Sequence, residues 1–142
     1  MPDPEFVTDR ILSRLSKQPL PAGVQLFSTA EEPVRAAVLA ALEGTDIGSP
    51  VVIFGQSSER FTVLGDRAVA SVAGRLRTCL YGEISDIRPT AQRSEEKATQ
   101  EFLHVIQRDR TETLIWGPPG LPIFTLWNLL LMIQRLHSSS GG

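Results

Sequence analysis

Residues 61–87 read FTVLGDRAVASVAGRLRTCLYGEISDI. The stretch is built of short apolar runs separated by glycine. With PVVIFG ahead of it, the glycines fall at 55, 65, 74 and 82. Short runs bounded by glycine, with β-branched residues among them, are the mark of strands joined by tight turns. Gly65-Asp66 and Gly74 are the turn points, which makes the strands antiparallel. Side chains alternate across a strand, so Phe61 and Val63 share one face, and Leu76, Thr78 and Leu80 share one face of a later strand. The expectation is a β-meander of three or four strands, which EISDI (83–87) continues as strand or as a short helical turn.

Upstream the period changes from two to nearly four. Val7, Ile11 and Leu15 recur at four-residue spacing and predict an amphipathic helix over residues 4–17. QPLPAG ends it, because proline cannot continue a helix and glycine frees the backbone. A second helix is expected to start at Ser28 or Thr29, with Glu31 or Glu32 completing a capping box. Val34, Val38 and Ala41 form its stripe, and Gly44 is placed to end it. Residues 1–50 are thus expected to be a helical extension. Downstream, RPTAQRSEEKATQ (88–100) is polar without an apolar period and reads as an exposed loop. EFLHVIQRDRTETLIWG (101–117) fits a hairpin turning at RDRT better than it fits a helix.

The chain closes with GPPGLPIFTLWNLLLMIQRLHSSSGG. GPPG forces a turn, and a helix from about Pro122 to His137 follows, with proline in its first turn. A membrane-spanning helix needs about 20 predominantly apolar residues. Thr125, Asn128, Gln134 and Arg135 interrupt this shorter one, so a span is not expected. At 100° per residue, Ile123, Leu126, Leu129, Leu130, Ile133 and Leu136 form one wide core-facing arc, with Thr125, Asn128 and Arg135 opposite. Phe124, Trp127 and Leu131 form a second apolar stripe, where an ordinary surface helix needs only one. Either the N-terminal helices cover it, or it is a docking or self-association patch. Residues 138–142 are expected to be a disordered tail.

The totals narrow the functional classes. The chain has 142 residues, 42% of them apolar and 21% charged, and a formal charge of −2. That is one ordinary globular domain, with a possible appended segment. Nucleic-acid binding needs a concentrated basic face, which this balance does not supply. The N-terminus lacks the basic stretch and apolar run of a signal peptide. One cysteine, Cys79, precludes an intramolecular disulfide and suits a reducing compartment. A cytoplasmic protein, bacterial in style, is the expectation. No metal or cofactor is expected: two histidines far apart and one cysteine do not form a ligand set, and GQSSER lacks the residues of a phosphate loop. Cys79 shares a strand face with Arg75 and Arg77, which could lower its pKa, and His104 could supply a base. A buried, inert strand cysteine is the simpler reading.

An antiparallel meander, a hairpin and one apolar C-terminal helix, in that order, resemble the bacterial pleckstrin-homology-like (PH-like) domains over residues 51–137, with 61–87 the most suggestive part. The resemblance implies an α+β fold: a meander or partly open barrel closed by the last helix, here preceded by two N-terminal helices. Lipid-binding members carry a basic pattern in the first hairpin. Arg67, Arg75 and Arg77 stand at similar places, with arginine in place of the family's lysine and with Asp66 and Glu83 diluting the charge. The principal functional expectation is a non-enzymatic protein-interaction module that meets another protein, or a second copy of itself as a homodimer, through Phe124, Trp127 and Leu131. The alternative is a phospholipid- or small-ligand-binding domain using Arg67, Arg75 and Arg77, and a minor one is a thiol enzyme on Cys79.

Overall fold

The computed structural model describes residues 3–55, 57, 59–89 and 101–140. The chain runs α1 (Pro4–Leu15), β1 (Val24–Leu26), α2 (Glu32–Ala41), β2 (Pro50–Phe54), β3 (Arg60–Gly65), β4 (Ala68–Ala73), β5 (Arg75–Leu80), β6 (Ile84–Pro89), β7 (Phe102–Gln107), β8 (Glu112–Trp116) and α3 (Leu121–Ser140). The strands form two antiparallel sheets, one in the order β1-β2-β3-β4-β5 and one in the order β6-β7-β8. The class is α+β, as expected, but among the described residues the strands do not close into a barrel.

The meander forms where the glycines place it. Gly65 and Asp66 lie at the β3–β4 turn, and Gly74, at φ +89°, turns β4 into β5. Gly65 has a second reason to be glycine: a Cβ there would fall 2.1 Å from the Ile47 carbonyl oxygen. The 102–116 region is the expected hairpin, with Phe102 opposite Trp116. Two expectations change. EISDI does not extend the meander; β6 opens the second sheet and pairs with β7. The first 50 residues are not helical throughout, since β1 pairs with β2 as the edge of the main sheet.

The main sheet is covered on both faces over β2, β3 and β4. Its inner face carries Val52, Phe54, Leu64, Val69 and Cys79, in one core with Val7, Ile11 and Leu15 of α1, Leu103 and Val105 of β7, and the buried side of α3. Its outer face carries Ile53, Phe61, Val63, Ala68 and Ala70, packed with Val38 of α2 and with Leu42 and Ile47 just after it. Five residues of the expected core arc of α3, Ile123, Leu126, Leu129, Leu130 and Ile133, are fully buried, while the sixth, Leu136, is half-buried.

Helix ends departed furthest from expectation. Ser28 and Thr29 lie in a separate turn of 3-10 helix, and α2 begins after Glu31, with no side-chain cap. Pro33, in the first turn, fixes φ for the start without needing an amide bond there. At the other end, α3 continues through Ser140 into the stretch expected to be a tail. Residues 90–100, the bulk of the expected polar loop, lie outside the described residues.

A buried polar ring joins the sheets. Thr62 and Ser71 are cross-strand partners on the inner face, and their hydroxyls lie 2.8 Å apart. Thr62 donates to the carbonyl of Trp116, and the Trp116 amide donates to Ser71 Oγ at 2.9 Å. Each group thereby satisfies another out of water, where an unpaired one would cost about 1–3 kcal/mol. The ring pins the end of β8 to the middle of the main sheet.

Candidate functional site

The two flanks of α3 have different neighbours. On one, Leu129, Thr125 and Asn128 line a groove with Arg14, Leu15 and the segment after α1. On the other, Gln134 Nε2 donates to the Ser85 carbonyl of β6 at 2.6 Å. At 100° per residue, Phe124, Trp127 and Leu131 lie on the Gln134 flank. They are half-buried and pack against the inner core, with the Phe124 and Trp127 rings 6.4 Å apart. Among the described residues the buried Trp127 indole nitrogen has no acceptor. Arg135, a short step round the helix, is exposed.

The three arginines do not form a cluster. Arg67 precedes Ala68, which pairs with Leu80, whereas Arg75 pairs with Ala73 at the opposite end of the hairpin. Six residues of strand separate Arg67 from Arg75 along the hairpin, about 20 Å at strand rise. Arg77 pairs with Ser71, about 13 Å from Arg67 by the same measure. Arg75 and Arg77 alone share a face. Sequence proximity in "DRAVASVAGRLR" misled because the chain reverses at Gly74.

Cys79 does lie on that face, but the arginines do not activate it. Burial pushes its thiol up to about 11, and the carboxylates of Glu83 and Asp109 push it the same way. It is therefore protonated at neutral pH. His104 lies 3.3 Å from Glu112, and His137 meets the Tyr81 ring edge-on with Nδ1 3.0 Å from the Ile133 carbonyl. Tyr81 is fully buried and donates to the Gly65 carbonyl at 2.6 Å. Burial raises its pKa well above the ordinary value, with Asp66 and Cys79 adding to it. Among the described residues no group of three or more His, Cys, Asp or Glu is placed to hold a metal, and no helix is long and apolar enough to cross a membrane.

Two further surfaces were not singled out in the sequence. A cavity of about 610 Å³ is walled by Pro21, Arg60, Trp116, Pro118, Leu121 and Pro122. Arg60 there is paired with Glu101 at 3.4 Å. The second surface is the rim of β5, where Leu76 and Leu80 are 40% and 45% exposed, with Thr78 exposed between them. Their shared face was legible from alternation. Their exposure was not, because it depends on what the rest of the chain covers.

No family model, curated protein or solved structure matches this chain.

Proposed function

We propose that this chain is a non-enzymatic, PH-like interaction module whose last helix docks an amphipathic helix of another protein through Phe124, Trp127 and Leu131. The PH-like reading is supported by element order: from β2 onward come a four-stranded meander, a three-stranded antiparallel sheet and a closing helix. One observation carries the docking reading. The stripe lies on the flank of α3 opposite the α1 groove, and its three large side chains are only half-buried.

Spacing of i, i+3 and i+7 is what a helix laid along a helix engages. Tryptophan in such a ridge is the residue type that most often dominates binding energy. Exposed Arg135 beside the ridge sets the partner's charge, so acidic residues should flank its apolar anchors. The separation of Arg67 from Arg75 and Arg77 weighs against a headgroup site built from all three. The protonated, buried state of Cys79 weighs against thiol chemistry.

The test uses a labelled synthetic helix with leucines at i, i+3 and i+7 flanked by glutamates, read by fluorescence anisotropy. Saturable binding is expected to the wild type but not to a scrambled control peptide. Trp127→Ala should weaken it at least about tenfold, a loss of ~1.4 kcal/mol, with little change in melting temperature. Equal binding of the scrambled peptide would overturn the reading. So would a stability loss of about 3–5 kcal/mol in Trp127→Ala, the signature of a core residue.

A further inference from the structure

We propose that the open edge of β5 is a self-association surface, on which β5 of a second copy pairs antiparallel about a two-fold axis through Thr78.

The main sheet has two edges, and they are protected differently. β1 is three residues long, and a very short edge strand offers little to pair with. β5 is six residues long, with no proline and no bulge in its pairing with β4. Among the described residues, no other strand pairs with its outer side. A cavity of about 410 Å³ runs along it, lined by Leu76, Thr78, Leu80, Asp46, Glu83 and Gln107. Exposed leucines on a free edge are what soluble proteins ordinarily avoid.

The pattern on that edge selects a second copy as the occupant. A two-fold interface must be self-complementary, residue i meeting j while j meets i. About Thr78 the exposed face of β5 reads Leu76, Thr78, Leu80, the same in both directions. In the antiparallel register Leu76 faces Leu80 of the second copy, Thr78 faces Thr78, and Leu80 faces Leu76. On the inner face Arg77 falls opposite Cys79 of the second copy, so like charges are not placed directly across the pair.

Charge along the strand points the same way. Arg75 and Arg77 stand at its start. Glu83 follows its end, and Asp46 lines the same cavity. The Cys79 thiol feels both Glu83 and Asp109, which places those carboxylates near the far end. Arg67 and Arg108 stand there too, since Arg67 precedes the partner of Leu80 and the Arg108 amide donates to the Glu83 carbonyl, so that end is mixed in charge. An antiparallel second copy keeps the two Arg75–Arg77 ends apart and sets each near the other's carboxylates, whereas a parallel copy would oppose arginine to arginine.

The surface is separate from the α3 ridge, so its test is independent of the ridge. Sedimentation equilibrium on the full chain should show a dimer at ~100 µM. Thr78→Lys and Thr78→Asp each place like charges across the axis and should weaken the dimer at least about tenfold. An equimolar mixture of the two variants should restore it, because only then does lysine face aspartate. Leu80→Ser, on the same exposed face, is the second variant should either substitution disturb folding, and it should weaken the dimer without lowering the melting temperature of dilute protein, where copies are apart. A wild-type monomer throughout, a dimer unaffected by these changes, or variants that do not recover on mixing would each overturn the proposal.

Discussion

β4 and β5 are the two arms of one hairpin, each six residues long, joined through a single glycine. Their surroundings differ completely. β4, AVASVA, places Ala68 and Ala70 in the outer core with α2, and Val69 in the inner core. β5, RLRTCL, buries only Cys79. Small side chains on β4 let other elements approach from both sides. Large or charged ones on β5 keep its rim in solvent. Apolar content does not by itself tell a core strand from an edge strand: β5 has two leucines, and both are exposed.

The largest expected effect lies deep in the shared core. Leu130→Ala should cost about 2–5 kcal/mol in a denaturant titration, because the fully buried α3 arc has no room to relax without leaving a cavity. A loss below about 0.5 kcal/mol, typical of surface positions, would show that α3 is not seated on the sheet as described.

On the β4 side the buried polar ring ties Ser71 to the end of β8. Ser71→Ala removes the acceptor for the Trp116 amide and should destabilise by about 1–3 kcal/mol. Double substitution with Thr62→Val should cost less than the two singles combined, since both belong to one ring. Additive losses would mean that the hydroxyls act separately.

On the β5 side, Cys79 gives a pH signature. Its folded pKa is raised, so its contribution is fully present below the ordinary thiol value of 9.0 and is lost as pH rises towards about 11. The fall in stability over that window should be shallower in Cys79→Ala than in the wild type. Tyr81, shifted in the same direction, contributes to both. Identical slopes would place the thiol in solvent. The smallest effect belongs to Leu80→Ser. In dilute solution, where copies are apart, it should change stability by less than about 0.5 kcal/mol.

Much of this was legible from local pattern. The glycine-bounded meander, the 102–116 hairpin, the Val7–Ile11–Leu15 stripe and the α3 core arc all follow from periodicity, which is a property of one segment. What was not legible depended on partners. β1 is three residues, too short to carry a period. β6 looks like its predecessors, but nothing local says that it starts a second sheet. Ser71 was a visible anomaly inside AVASVA, yet its acceptor role requires Trp116, 45 residues away. The arginines seemed clustered because the reversal at Gly74 carries Arg75 away from Arg67. For Cys79, the arginines sharing its face were read from sequence, while burial and the carboxylates that outweigh them come from the fold. Ser138–Ser140 read as tail, and α3 carried through them.

Among the described residues no strand pairs with the outer side of β5, which leaves it for a second copy to cover. In an antiparallel pair alternate residues hydrogen-bond to the neighbour, so half of the β5 amides face away from β4. Hydrogen exchange of the full chain at low and high protein concentration measures this directly. At low concentration the outward amides of β5 should exchange fast, while the interior strands β3 and β4 stay protected. At high concentration the outward amides should become protected in the wild type but not in Thr78→Lys. Outward amides protected equally at every concentration would show that the edge is already covered within one chain, and outward amides that stay fast at every concentration would show that no second copy pairs with it.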